Sequence, residues 1–193
     1  MKSTKEYSVK VFGNPEQVSN QYPIFAGIDA SYSGFGVTLI DHESSHVTYV
    51  AKFNGTGVER LRNAQKFLTD LFICENEDLY EFQDIAIEGY AFGSQMSNML
   101  GELGGIVRLF IYEKFGIKPL LVPPTSLKKY VTGKGTGVQK NQMLLYVYKK
   151  WDVEFKDDNA ADAYSLAKLV SGQGSLAYEK EIYSKLNDEK HRA

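Results

Sequence analysis

Apolar and polar positions follow two different rhythms along this chain. Short apolar runs at 24–30, 34–41 and 46–53 succeed one another with brief breaks, and Val47-Thr48-Tyr49-Val50-Ala51-Lys52-Phe53 alternates in the third. A period of two in runs of this length predicts strands, here an antiparallel meander. Asn54-Gly55-Thr56-Gly57 breaks the pattern. From Val58 to Ile73 the period lengthens, placing Leu61, Ala64, Leu68, Leu71 and Phe72 on one face of a helix. Asp84-Ile85-Ala86-Ile87-Glu88 is nearly all apolar, which suits a central strand covered on both faces. A helix over 95–115, a short strand over 119–122 and a short helix from Pro124 to Tyr130 follow. After the flexible Thr132–Gly137 loop come helices over 138–150 and 159–171, and 176–192 reads as a charged surface helix. Val9-Lys10-Val11-Phe12 suggests no more than a short edge strand in a loosely structured lead-in.

Three strands, helix, strand, helix, strand, helices: this order predicts an α/β domain with a mixed five-stranded sheet. In it, an antiparallel meander is extended by parallel strands through helical crossovers and flanked by helices. Residues 1–22 form the lead-in, 23–175 the domain and 176–193 the C-terminal helix. A chain of 193 residues, 43% hydrophobic, supports one well-buried core and not two comfortable domains. Its single cysteine, Cys74, excludes an internal disulfide or a cysteine metal cage, and suits the core of a helix in a reducing cytosol. Neither a signal peptide nor a membrane span is evident, so a soluble, cytoplasmic protein is expected.

A formal net charge of −2 does not by itself point to a nucleic-acid partner. The distribution changes that picture. Between Lys114 and Lys150 there is no Asp or Glu, while Lys118, Lys128, Lys129, Lys134, Lys140 and Lys149 fall inside. Such a stretch either binds a polyanion locally or forms a solvated lysine face. It is not a nucleotide P-loop, because Gly133-Lys134-Gly135 lacks the Gly-Lys-Ser/Thr ending.

The candidate chemistry lies in the acids. Asp29 ends the apolar run Ile24–Asp29, where it either caps the turn with its side chain or sits on a sheet face, a costly place for an uncompensated acid. Glu88 ends another apolar strand. Asp158 and Asp162, four apart, share a helical face if the helix starts early enough, although Asp158 also suits an N-cap. Asp162 is flanked by Ala160, Ala161, Ala163 and Ala167, a small-residue face that packs closely on something. If the four converge, they are held protonated or bind hard cations. Oxygen-only ligands favour Mg²⁺, with Mn²⁺ able to substitute, and two such ions suit phosphodiester hydrolysis.

Gly27-Ile28-Asp29-Ala30-Ser31 with Gly34-Phe35-Gly36, then Ile87-Glu88, then Asp158-Asn159-Ala160-Ala161-Asp162-Ala163-Tyr164 resemble the three catalytic blocks of RuvC-type Holliday-junction resolvases. The likeness runs from about Phe25 to Val170, in order, and looks more like the phage-borne branch, for which the setting is the host cytoplasm. It implies a ribonuclease H-like fold and a homodimeric, Mg²⁺-dependent endonuclease acting on branched DNA, the four-way junction above all. By this resemblance Asp29, Glu88 and Asp162 are catalytic metal-binding carboxylates. The family places its fourth ligand where this chain has Asn159. Asp158 is preferred, because it shares the face of Asp162 and carries charge; Asp157 is the reserve. Lys128, Lys129, Lys134 and Lys140 match the family's DNA-contacting region, and Phe92 or Tyr90 a wedge at the junction. The helix after Gln95 matches the dimerisation helix, though simple burial accounts for many of its apolar residues. The competing readings are a related nuclease for other branched DNA or RNA–DNA hybrids, and a junction-binding protein that does not cut.

Overall fold

The computed structural model describes residues 2–3, 5–18, 23–73, 80–89 and 97–192. Strands β1 (Lys2–Ser3), β2 (Tyr7–Gly13), β3 (Ile24–Asp29), β4 (Phe35–Ile40) and β5 (His46–Phe53) precede helix α1 (Gly57–Phe72). Then come β6 (Phe82–Glu88), α2 (Ser97–Phe115), β7 (Leu120–Val122), α3 (Pro124–Thr132), α4 (Lys140–Trp151), α5 (Asp158–Val170) and α6 (Ala177–Leu186). The strands form one mixed sheet in the order β1-β2-β5-β4-β3-β6-β7. β3, β4 and β5 are the antiparallel meander, and β6 and β7 continue it in parallel.

The sheet therefore has seven strands, where the hydrophobic pattern predicted five. The additional pair is β1 and β2, and β2 runs antiparallel to β5 along its whole length, Tyr7 opposite Phe53 and Gly13 opposite Val47. Only Tyr7 and Val9 of β2 are buried, because one face of this outer strand is barely covered. That thin apolar signal is why the sequence reads as a loose lead-in. A strand with one face open to water needs few apolar residues when a long neighbour supplies its hydrogen bonds.

Two apolar layers sandwich the sheet. On one side α1 and α2 pack through Leu61, Phe67, Leu68, Phe72, Leu103, Val107, Phe110 and Ile111. On the other, α3 and α4 gather round α5 through Leu127, Tyr130, Val131, Met143, Val147 and Tyr164. α5 lies directly on β3 and β4. A Cβ at Gly27 would stand 2.1 Å from the Ala163 carbonyl oxygen, and one at Gly36 would stand 2.4 Å from that of Asn159. The alanines of α5 and these two glycines meet backbone to backbone, a closeness no larger residue permits.

The C-terminal segment is less of a surface helix than its charges predict. α6 stops at Leu186 and buries Glu179, Ile182 and Leu186. Glu179 pairs with Lys150 of α4, whose ammonium also lies 4.6 Å from the Tyr130 ring centroid. Farther on, Arg192 donates to both carboxylate oxygens of Asp84, at 2.5 and 2.8 Å, and its backbone bridges to Leu120. Glu179 and Arg192 make the docking ion pairs, while Glu181 with Lys185 and Asp188 with Lys190 pair along the exposed side, so the segment stays polar in sequence and its docking is concealed. Among the described residues no helix is long and apolar enough to cross a membrane.

Candidate active site

Strand alternation puts Phe25, Gly27 and Asp29 on the face that α5 covers. Asp29 is consequently buried at the end of β3. In the parallel pairing of β3 with β6, Ile28 lies opposite Ile87, so Asp29 and Glu88 follow as neighbours at the carboxyl ends of two adjacent strands. α5 begins above them, with Asp158 in its first turn and Asp162 one turn on. The result is a cleft of about 300 Å³ lined by Asp29, Glu88, Asp158 and Asp162, with Ser31, Asn159 and Lys128 among its other walls. Of the two sequence readings of Asp29, turn cap or buried acid on a sheet face, the structure realises the second.

Crowding shows in the electrostatics. The Asp29 carboxyl is held well above the usual carboxylate range, first by burial and then by the charges of Glu88 and Asp162. A hydrogen bond with Glu88 and the charge of Asp158 push it the same way. Two carboxyl groups within hydrogen-bond reach share a proton more readily than either does alone in water, which is the direction of the Asp29 shift. The four acids among the described residues of the cleft offer carboxylate oxygen, which is the donor chemistry of Mg²⁺ or Mn²⁺. Among the described residues no set of three or more acidic, histidine or cysteine side chains is already drawn together as a closed metal site. The donors fit a hard cation, and their mutual repulsion is what such a cation would relieve.

The three candidates for the fourth acid separate clearly. Asp157 is the N-cap of α5: its Oδ1 accepts from the Asn159 backbone N–H at 3.1 Å and from Asn159 Nδ2 at 3.0 Å, while Oδ2 lies 3.7 Å from Lys10 Nζ. Asn159 lines the cleft but gives its amide to Asp157 and fits against Gly34, where a Cβ would stand 2.6 Å from Nδ2. Asp158 is the one whose charge reaches Asp29.

The lysines divide. Lys128, on α3, reaches the acid cleft itself. Lys129 lies in a neighbouring groove with Thr125, Ser126, Gly135 and Lys185. Lys134 is exposed in the loop after α3, which ends at Gly133 with φ 76°, a left-handed conformation natural to glycine. Lys140 opens α4. Phe92, Tyr90 and Cys74 lie outside the described residues. Sequence reasoning missed the apolar wall of the cleft, Leu100, Val138 and Met143. They come from three segments with no shared motif, so only the fold brings them together.

Strand order, crossovers and the placing of acids at strand ends define a ribonuclease H-like fold. Two solved structures from Thermus thermophilus share it. One is RuvC, at a TM-score of 0.59 and 17% identity, over 84% of this chain and 95% of that one. The other is RuvC in complex with a Holliday junction substrate, at a TM-score of 0.59 and 14% identity, over 86% and 97%. The resemblance to RuvC-type resolvases carried by three acidic blocks thus extends to the architecture of most of the chain. No family model matches the sequence, and no curated protein sequence matches it.

Proposed function

We propose that this protein is a structure-selective DNA endonuclease that resolves four-way junctions by metal-assisted phosphodiester hydrolysis. The observation that carries the reading is the convergence of Asp29, Glu88, Asp158 and Asp162, from two strands and a helix, on one cleft that Lys128 also lines. The likeness to a RuvC captured with a Holliday junction supports the choice of substrate.

In this reading the four carboxylates hold Mg²⁺, or Mn²⁺ in its place. Bound there, the ions supply activation of the attacking water and neutralisation of charge at the scissile phosphate, the two-ion chemistry of phosphodiester cleavage. Asp29, buried at the end of β3 beside Glu88 and under α5, would hold a cation at the centre of the site, where positive charge would favour its ionised form. Lys128 holds a phosphate oxygen at the cleft, and Lys129, Lys134 and Lys140 bind the backbone beyond it. The products are a 5′-phosphate and a 3′-hydroxyl.

A dimer places two such clefts on the two exchanging strands. The face of α2 that the sheet does not cover supports it: Leu109 and Tyr112 are 56% and 54% exposed, beside Gly105 and Arg108. If the chain is phage-encoded, the site of action is the host cytoplasm.

A nicking assay on a synthetic four-way junction, beside matched linear duplex, tests the reading with Mg²⁺, with EDTA and with Asp29→Asn. Paired metal-dependent nicks on the junction, absent from the variant, are expected. Cleavage confined to flaps or RNA–DNA hybrids would transfer the chemistry to another substrate. Binding without cutting in either metal would make the protein a junction-binding module.

A further inference from the structure

Arg60, near the start of α1, is held in an unusual way. Its guanidinium carbon lies 4.4 Å from the centroid of the Tyr32 ring. Its Nε is buried and, among the described residues, has no hydrogen-bond partner. Among the described residues no carboxylate forms an ion pair with it. A cation stacked on a ring keeps its charge and most of its five donors unspent, and leaving a buried donor unmade is costly. Such a group suits an anion that arrives from outside.

Its position says which anion. Tyr32 lies in the turn between β3 and β4, next to Ser31, which lines the acid cleft. Four carboxylates repel a DNA backbone, so a strand that reaches them must be held by cations on the way in. Lys128 provides one from the layer of α3, α4 and α5. On the side of the sheet that α1 and α2 cover, the turn beside the cleft meets Arg60.

Resting on the function proposed above, we propose that Arg60, steadied on Tyr32, binds a backbone phosphate of the DNA strand that crosses the acid cleft, gripping it from the side of the sheet opposite Lys128. The planar fork of the guanidinium can take two phosphate oxygens at once while its face stays on the ring. Arg60 contributes to holding the strand and not to the chemical step.

The test measures four-way-junction binding across a salt series, with the full chain carrying Asp29→Asn so that binding is read without cutting. Arg60→Gln should weaken binding about tenfold, as loss of a charged hydrogen bond does. It should also make the salt slope shallower by about 0.7 to 0.9, one phosphate contact. Arg60→Lys should restore the slope and only part of the affinity. With Asp29 intact, Arg60→Gln should raise KM and leave kcat unchanged. Should Arg60→Gln fold poorly, Tyr32→Leu carries the test: it keeps the charge, and should weaken binding with no change of slope. An Arg60→Gln slope equal to the parent's, a loss confined to kcat, or Tyr32→Leu binding like the parent each overturns the inference. A parent that neither binds nor cuts branched DNA overturns the proposed function and this inference together. A parent that does both while Arg60→Gln matches it sinks this inference alone.

Discussion

At the start of α5, Asp158 and Asp162 share a cleft with Asp29 and Glu88; near its end, Lys168 is buried and donates to Ser44 Oγ at 2.9 Å and to Gln173 Oε1 at 3.1 Å. Both placements agree with the helix dipole, which favours anions at the first turn and cations at the last. The difference is in what satisfies each charge. Lys168 finds neutral oxygens that are themselves tied down, Ser44 Oγ donating to Gln173 Oε1 at 2.8 Å and Gln173 Nε2 to the His42 carbonyl at 3.2 Å. Burial pulls its pKa down, and the hydrogen bonds keep it in place. The acids instead find one another, and Asp29 is pushed up as a result. One end of the helix closes on itself and holds the β4–β5 turn. The other gathers four acids whose charges raise the pKa of Asp29, a repulsion that a cation would relieve.

Asp29→Asn should break the acid end most completely. Cleavage should fall by more than about a hundredfold, the most that loss of an outer-shell partner costs a metal site. The same change should stabilise the metal-free protein at neutral pH. The folded pKa of Asp29 is raised above its unfolded value, so its contribution is present at low pH and is lost as pH rises through the raised folded pKa. Thermal unfolding without metal, from about pH 4 upward, should therefore show the parent losing ground to the variant. Mg²⁺ should raise the Tm of the parent and not of the variant. Parallel pH curves would dismiss the picture of a strained acid cluster.

Next in size, Asp158→Asn should cost far more cleavage than Asp157→Asn. Asparagine still caps α5, so the second variant should stay within a few tenths of a kcal/mol in stability and retain cutting. The reverse ranking in a nicking assay would move the fourth carboxylate to Asp157.

Gly27→Ala sharpens the comparison by lifting α5 off β3. Its Cβ would meet Ala163 O at 2.1 Å and Ala167 N at 2.3 Å, both backbone atoms that cannot turn away. A loss of about 3 kcal/mol or more is expected in denaturant unfolding, at or beyond the upper end of overpacking. Cutting should drop too, because the acids no longer meet.

At the opposite end of α5, Lys168→Met should cost less than Gly27→Ala, about 1–2 kcal/mol, since the partners it leaves behind remain bonded to each other. Cleavage should not change. Its folded pKa is lowered, so the unfolded chain binds more protons on the alkaline side, and the parent should gain on the variant as pH rises towards the ordinary lysine range. Unfolding midpoints at neutral and alkaline pH check the sign.

The acid end was readable in the sequence because strand and helix periods place it without reference to anything distant. An acid closing an apolar run lies at a strand end, and two acids four apart share a helical face. The alanines round Asp162 announced a close contact, and Gly27 and Gly36 proved to be its other side. What escaped depends on partners remote in sequence. β2, legible in Val9–Phe12 only as a short edge strand, owes its full length to β5, Glu179 owes its burial to Lys150, and Arg60 owes its position to Tyr32. None of these residues carries a local pattern that names its partner.

The sheet ends on both sides in its shortest strands, two residues in β1 and three in β7. Beside β7 the chain folds back, so that Arg192 bridges Leu120 and clasps Asp84. An open strand edge invites another molecule's strand to add itself, the first step of aggregation. The clasp occupies that place. Removing Arg192 should therefore show first in a test tube turning cloudy, long before any change in how the cleft works.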